Sequence, residues 1–353
     1  MAEGKVVNLA LIGAGAWSGC IGHVMNKSSR VNLVTCFDEI PEKREACSKK
    51  FACEAEESFE AVLKRDDIDG IHLATPNFLH PEQTILAAEH GKHIFVEKPI
   101  ANTIADGEKM IEVCQKAGVT LMVGQHMRRL TGIRKLKELI DGGSIGKPIQ
   151  VEGNYSQNIG FSLTPASFRW RGDDTGCPAG SLMTMGIHHA DVFNYLFGSI
   201  KSAFSYFNKL YIEAPVEDVT ALLFQYESGV LGYLGSNYAS PKAVWFYIYG
   251  TEANLLCTIT PPELPFEEYL KWWERVDEDT TVQIFKKGQT GAEAVPIAVG
   301  NPILEEIEEF ADCIVSGRTP ETDGISALNA LRLIRGAIDS ARTGEQTLLS
   351  RLT

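Results

Sequence analysis

Four groups of residues have the types and spacing to do chemistry. The first is Gly13-Ala14-Gly15-Ala16-Trp17-Ser18-Gly19. Glycine at 13 permits a tight turn, and glycine at 15 leaves no side chain between a diphosphate and the N–H groups that open a helix. With 32 glycines in 353 residues, about three Gly-x-Gly pairs arise by chance, so the surroundings carry the argument. An apolar run, Val6–Ile12, precedes the glycines and a helix-compatible stretch, Cys20–Met25, follows. Ser18 stands where the dinucleotide pattern has its third glycine, and it is small enough for the same close helix–strand packing. A structural turn without a ligand is the alternative.

The second group is Asp38, which follows the apolar run Val31–Phe37 twenty residues after Ser18. A carboxylate there accepts both ribose hydroxyls of an adenosine and repels a 2′-phosphate, which favours NAD over NADP. A solvated turn acid is the alternative. The third group is a pair of segments, Ala74-Thr75-Pro76-Asn77 and Val96-Glu97-Lys98-Pro99, each at the carboxyl end of an apolar run. Open parallel sheets bind ligands along that edge. An ordinary lysine is exposed and solvated, but Lys98 ends an apolar run and is restricted by the following proline. The fourth group, Gly180 to Asp191 (GSLMTMGIHHAD), opens a helix on which His188 and Asp191 share a face. A metal site built on His188, His189 and Asp191 lacks a third well-spaced ligand. A lone His188 would more often be a hydrogen-bonded core residue.

The elements that must position these groups alternate in the first 125 residues. Apolar runs at Val6–Ile12, Val31–Phe37, Ile68–Ala74, His93–Val96 and Val119–Val123 are spaced by helical stretches. Two of these, His80–His90 and Thr103–Ala117, are closed by Gly91 and Gly118. This predicts a doubly wound parallel sheet over residues 1–125. After Gln125 the texture changes. A basic stretch, His126–Lys137, leads to strand-like runs at Ile149–Tyr155, Ile200–Leu210, Thr220–Tyr226, Gly229–Asn237, Val244–Tyr249 and Asn254–Ile259. The turn Glu227–Gly229 predicts a hairpin and antiparallel pairing. Helices are expected at His188–Phe197, Asn301–Ser316 and Ser326–Thr343, so residues 126–353 read as a second, α+β domain with an open, mostly antiparallel sheet.

The balance of 46 acidic against 33 basic residues gives a net charge of −13, which repels phosphate backbones and anionic lipid. Neither a nucleic acid nor a membrane is an expected partner. No apolar run approaches the roughly 20 residues that span a bilayer, and Met1–Lys5 does not open a signal peptide. The eight cysteines are scattered without a CxxC pair, as buried thiols of a cytoplasmic protein would be.

Taken in order, GAGAWSG, ATPN with His80 three residues on, VEKP and GSLMTMGIHHAD resemble the Gfo/Idh/MocA oxidoreductases over essentially the whole chain. The resemblance implies NAD held by Gly13, Gly15, Ala16, Trp17, Asp38, Thr75, Pro76, Asn77, His80, Glu97 and Lys98. It implies that Lys98 and His188 face a sugar, cyclitol or related polyhydroxy substrate as the catalytic pair, and that the second sheet mediates dimers or tetramers. It also suggests a cis Lys98–Pro99 bond. Hydride leaves an alcohol carbon as its hydroxyl proton is removed, which assigns a base to His188 and oxygen stabilisation to Lys98. The reverse assignment stays open.

Many sugar and cyclitol dehydrogenases of this family carry aspartate four residues before the histidine, where this chain has Thr184. Either the substrate departs from a simple cyclitol, or Asp191 and others orient His188. Thr184, Arg128, Arg169 and Trp170 are expected as further substrate contacts, and His126 and Arg129 as weaker pocket candidates, with surface charge and core packing as the alternative for these basic and aromatic residues. Two other functions exist on this scaffold: an NAD-dependent glycosidase without net redox change, and a non-catalytic NAD-binding regulator. Retention of both Lys98 and His188 argues against the regulator.

Overall fold

The structure, a computed structural model, describes residues 5–163 and 176–351. Val7–Ile12 (β1) is buried along almost its whole length, as a strand covered on both faces must be. It pairs in parallel with Val31–Phe37 (β2) and Gly70–Leu73 (β4). With Glu54–Ala55 (β3), His93–Glu97 (β5) and Leu121–Gly124 (β6), these strands form a six-stranded parallel sheet in the order β3-β2-β1-β4-β5-β6. The order reverses at β1/β4, the crevice where doubly wound sheets bind ligands.

Helices Ala16–Met25 (α1), Pro41–Phe51 (α2), Phe59–Leu63 (α3), His80–Glu89 (α4) and Ile104–Ala117 (α5) connect these strands. The start of α5 is capped by Thr103, whose hydroxyl accepts the Asp106 N–H, and it ends on Gly118 at φ 68°. The helix after Gly13-Ala14-Gly15 begins at Ala16, four residues before the expected start. A helical stretch was expected between Val31–Phe37 and Ile68–Ala74 without bounds; the structure has two helices there, α2 and α3, with the short β3 between them. The sequence of α2, PEKREACSKKF, buries only Cys47 and Phe51, too little for a recognisable apolar stripe.

The second sheet has nine strands: Pro148–Ser156 (β7), Ile200–Asn208 (β8), Val219–Tyr226 (β9), Leu231–Asn237 (β10), Ala243–Gly250 (β11), Ala253–Ile259 (β12), Thr280–Lys286 (β13), Glu293–Val295 (β14) and Thr347–Leu348 (β15). Their order is β14-β13-β12-β11-β7-β10-β9-β8-β15, antiparallel throughout the described residues except for the parallel pair β7–β10. The hairpin at Glu227–Gly229 joins β9 to β10. Helices Thr131–Asp141 (α6), Ile187–Phe197 and Gly324–Thr343 cover one face. The other face alternates outward with Tyr206, Leu223 and Leu231, all more than half exposed.

The Pro302–Ser316 helix crosses back to the first sheet and packs on α1, β1 and β2. Phe310 meets Phe95 at 5.5 Å, and Ile303, Ile307 and Ala311 are fully buried. All eight cysteines are free, seven of them buried. No helix among the described residues is long and apolar enough to cross a membrane.

Candidate active site

The cofactor cradle is built from the turn between β1 and α1. Gly13 has φ 90°, and a Cβ there would lie 2.8 Å from the Ala74 carbonyl oxygen, so only glycine suits the position. The Ser18 hydroxyl bonds back to the Gly13 carbonyl, which explains how serine fills the third position of the pattern. Gly15 is the N-cap of α1, provides no side-chain cap, and has open space where a Cβ would be. The first N–H groups of α1 therefore face a place an anion can reach.

Asp38 is fixed by two backbone donors: Ala14 N–H to Oδ2 at 2.7 Å and Ile40 N–H to Oδ1 at 2.9 Å. Its carboxylate is thus tied to the glycine turn, with lone pairs to spare for ribose hydroxyls. Arg44, on α2, lies 3.4 Å from the Asp38 carbonyl oxygen, a nearby cation that sequence reading passed over. Asn77 Nδ2 and both amide atoms of Gln125 are buried without partners. An orphaned polar group costs about 1–3 kcal/mol, and these donors and acceptors are what a dinucleotide would satisfy. The residues present fit such a group.

At the end of β5, Glu97 accepts the Trp17 indole N–H at 2.6 Å and lies 3.5 Å from His72 Nε2. Burial pushes its pKa up, but His72, Lys98 and the Trp17 donor outweigh burial and hold it below the usual value. Trp17 also stacks on His126 at 5.5 Å. The Lys98–Pro99 bond is cis. His80 is wholly buried, with Nδ1 3.0 Å from the Pro99 oxygen and Nε2 3.1 Å from the Thr75 oxygen. It braces the Thr75 and Pro99 segments against each other. The Thr75 hydroxyl bonds Gln83 at 2.6 Å, and Pro76 leads into the turn Asn77–Leu79.

Lys98 Nζ donates to the Thr184 carbonyl at 2.6 Å, bridging from the first sheet to the segment that carries His188. That segment, Leu182–Gly186, is a π-turn leading into the Ile187–Phe197 helix, a wide turn often found at functional sites. His188 is nearly buried and its Nδ1 has no partner. Its pKa is driven well below 6.5, chiefly by burial and then by the Lys98 charge. Both causes favour the neutral imidazole, which carries a lone pair on one ring nitrogen. His126, on the turn after β6, lies 4.7 Å from His188, ring to ring, and burial lowers its pKa to about 3.

The Thr184 hydroxyl bonds the Gly180 carbonyl at 3.0 Å and the Tyr238 hydroxyl. Asp191 does not reach His188. Both its oxygens are taken by Arg128, with Nε at 2.8 Å. Arg128 in turn bonds the Glu321 carbonyl and Ser326, and only 4% of it is exposed. It joins the second domain's elements and does not present its guanidinium to the site. Arg129 is likewise buried, paired with Glu309. Arg169 and Trp170 lie outside the described residues. The sequence offered His126 as one of the weaker pocket candidates opening the second domain, two residues beyond the strand Leu121–Gly124, with nothing to single it out from Arg128 and Arg129.

Residues 7–125 match the family model described as "Oxidoreductase family, NAD-binding Rossmann fold", and residues 133–256 match the GFO/IDH/MocA C-terminal domain. The chain is 31% identical over 196 residues to a 2,7-anhydro-N-acetylneuraminate hydratase of Mediterraneibacter gnavus, a match spanning 56% of this chain and half of that protein's length. A solved Desulfitobacterium hafniense protein, described provisionally as an NADPH-dependent oxidoreductase, superposes with a TM-score of 0.92 at 30% identity over 98% of both chains. Levoglucosan dehydrogenase, solved with NADH and levoglucosan, superposes with a TM-score of 0.84 at 21% identity over 98% of this chain and all of that one, a likeness of fold. Glycine turn, lysine edge, histidine helix and open second sheet thus coincide with two matched domain models and a full-length structural relative: the chain belongs to the Gfo/Idh/MocA oxidoreductase family.

Proposed function

We propose that the protein is an NAD-dependent dehydrogenase that oxidises a hydroxyl-bearing carbon of a sugar, cyclitol or related polyhydroxy compound. The observation that carries this reading is Lys98, at the carboxyl edge of the dinucleotide-type sheet, bonded to the Thr184 turn that leads into the helix of the buried His188. Nicotinamide, when bound, supplies the hydride acceptor. His188 takes the hydroxyl proton, and the Lys98 ammonium holds the same oxygen as negative charge develops. Burial of this edge excludes water and strengthens both interactions. Asp38, held toward the ribose position by Ala14 and Ile40, supports NAD as the preferred cofactor.

The test is reduced-nicotinamide absorbance over a panel of aldoses, uronates, cyclitols and anhydro sugars, with NAD and NADP separately, beside Lys98→Met and His188→Asn. Turnover abolished by both substitutions supports the reading. A relative named as a hydratase, an activity without net redox change, keeps a second reading in view: the transient oxidation of the NAD-dependent glycosidase alternative, with the cofactor regenerated each cycle. Substrate consumption that needs NAD yet releases no net NADH would select it. The apolar outer face of the second sheet supports self-association through that face. Leu223→Glu should then lower the mass measured by light scattering, and an unchanged mass would reject that interface. The buried free thiols suit a reducing, cytoplasmic compartment.

A further inference from the structure

Two imidazole nitrogens at the candidate site are buried, unpartnered and on adjoining rings. Among the described residues, neither His126 Nε2 nor His188 Nδ1 has a hydrogen-bond partner, while their ring centroids lie 4.7 Å apart at 57°. His126 is gripped on two further sides, by Trp17 stacked at 5.5 Å and by Trp273 edge-on at 4.9 Å. It is only 3% exposed, so the ring is held in place whether or not its nitrogens are used.

Among the described residues, the polar side chains of the His188 segment that could orient its ring are committed elsewhere. The Asp191 carboxylate belongs to Arg128. The Thr184 hydroxyl belongs to Gly180 and Tyr238. His189 stacks on Phe246 at 4.0 Å with Nε2 3.3 Å from the Trp245 oxygen. Among the described residues, the charged and titratable groups facing the pair are Glu97, Lys98 and Arg129 around His126, and Lys98, His189 and the Tyr155 ring, stacked at 6.4 Å, around His188.

We infer that His126 is the positioning residue of His188: its Nε2 accepts a hydrogen bond from His188 Nδ1–H in the reacting complex. His188 Nε2 then keeps the lone pair that takes the substrate proton. The inference rests on the proposal that His188 is the base. With nicotinamide bound to supply the hydride acceptor, the C–H electron pair would leave as hydride while the substrate O–H proton passes to His188 Nε2. His188 Nδ1–H goes on donating to His126, so no proton transfers to His126. An imidazole in this place orients the base as a carboxylate would, but adds no negative charge. This accounts for a family member that works with threonine at position 184.

The test uses the full chain with its best substrate. His126→Phe keeps the ring packing and removes the acceptor, while the amide oxygen of His126→Gln restores one. His126→Phe should lower kcat about 10- to 100-fold, less than loss of a general base, with KM for NAD changed less than about threefold. It should also alter the acid limb of the kcat–pH profile, and His126→Gln should recover most of the rate. Nitrogen-15 NMR of the NADH-bound protein should show His188 protonated at Nδ1, and a mixture of tautomers in the Phe variant. Full kcat and an unchanged pH profile in His126→Phe, with His188→Asn inactive, overturn the positioning role alone, as does an Nε2–H tautomer in the wild type. Normal turnover by His188→Asn removes the base assignment and the inference with it. If the Phe variant does not fold, the Gln kinetics and the wild-type tautomer decide.

Discussion

Lys98 Nζ donates to the backbone carbonyl of Thr184 at 2.6 Å, so one lysine ties the end of β5 to the turn that leads into the His188 helix. A main-chain acceptor tolerates any side chain at 184, which separates the tie from the identity of that residue. Lys98→Met removes both the tie and the charge. We expect a loss of about 10²–10³-fold in kcat, the scale of removing one oxyanion donor, while NAD binding by calorimetry changes little. A loss confined to KM would show that Lys98 only binds substrate.

Asp38 should set cofactor choice. Replacing it with serine removes the repulsion toward a 2′-phosphate and the charge-assisted bonds to Ala14 and Ile40. The ratio of kcat/KM for NAD over NADP should fall about 10- to 100-fold, as charged hydrogen bonds of about 1.5–3 kcal/mol imply. Arg44 is the cation that would meet the added phosphate. Asp38→Ser combined with Arg44→Ala should therefore forfeit the gain with NADP. An unchanged ratio in the single variant would mean that discrimination lies elsewhere.

His189 provides a clean pH probe away from the reacting atoms. Burial lowers its pKa from 6.5 to about 3, so the folded protein keeps it neutral where the unfolded chain protonates it. The associated stability is complete above pH 6.5 and is lost as pH falls toward the folded value. His189→Phe, which preserves the stack on Phe246, removes that dependence. Between pH 7.5 and pH 5 the wild type should lose roughly 2 kcal/mol more than the variant in urea unfolding. Equal losses would show that His189 is protonated in the fold.

The Arg128–Asp191 pair should behave as structure. Breaking a buried ion pair from one side leaves an uncompensated charge and costs about 3–5 kcal/mol. Asp191→Leu and Arg128→Met should each destabilise by that order, and the double variant by less than either. Any residual activity should keep its KM for substrate. A KM rise in Arg128→Met without loss of stability would return the arginine to the substrate site.

What was legible in the sequence followed from local chemistry. β1, β2 and β5 were readable because each carries an apolar-rich run of strand length, interrupted only by Asn8 in β1 and by Asn32 and Thr35 in β2. The Gly13 turn and the Thr103 cap were readable because each has a short-range signature. Helix α2 was not, because almost nothing on it is buried. Nor was the fate of Asp191, whose partner is 63 residues away in the chain. Helical spacing placed His188 and Asp191 on one face, but tertiary contacts turned the acid toward Arg128. His126 gained its meaning only from the ring beside it, a neighbour that no spacing rule supplies.

The Pro302–Ser316 helix gives the molecule a temporal order. It seals β1 and β2 with Ile303, Ile307 and Phe310, and ties Arg30 to Asp312 and Ser28 to Glu308. A ribosome delivers β1 to β6 first and this helix near the end. The half of the protein made first thus waits for a late helix, with its apolar flank bare while strands β7 to β14 are being synthesised. A nascent chain truncated before residue 302 should engage chaperones through that flank, and a severed first half should not be expected to stand as an independent nucleotide-binding module.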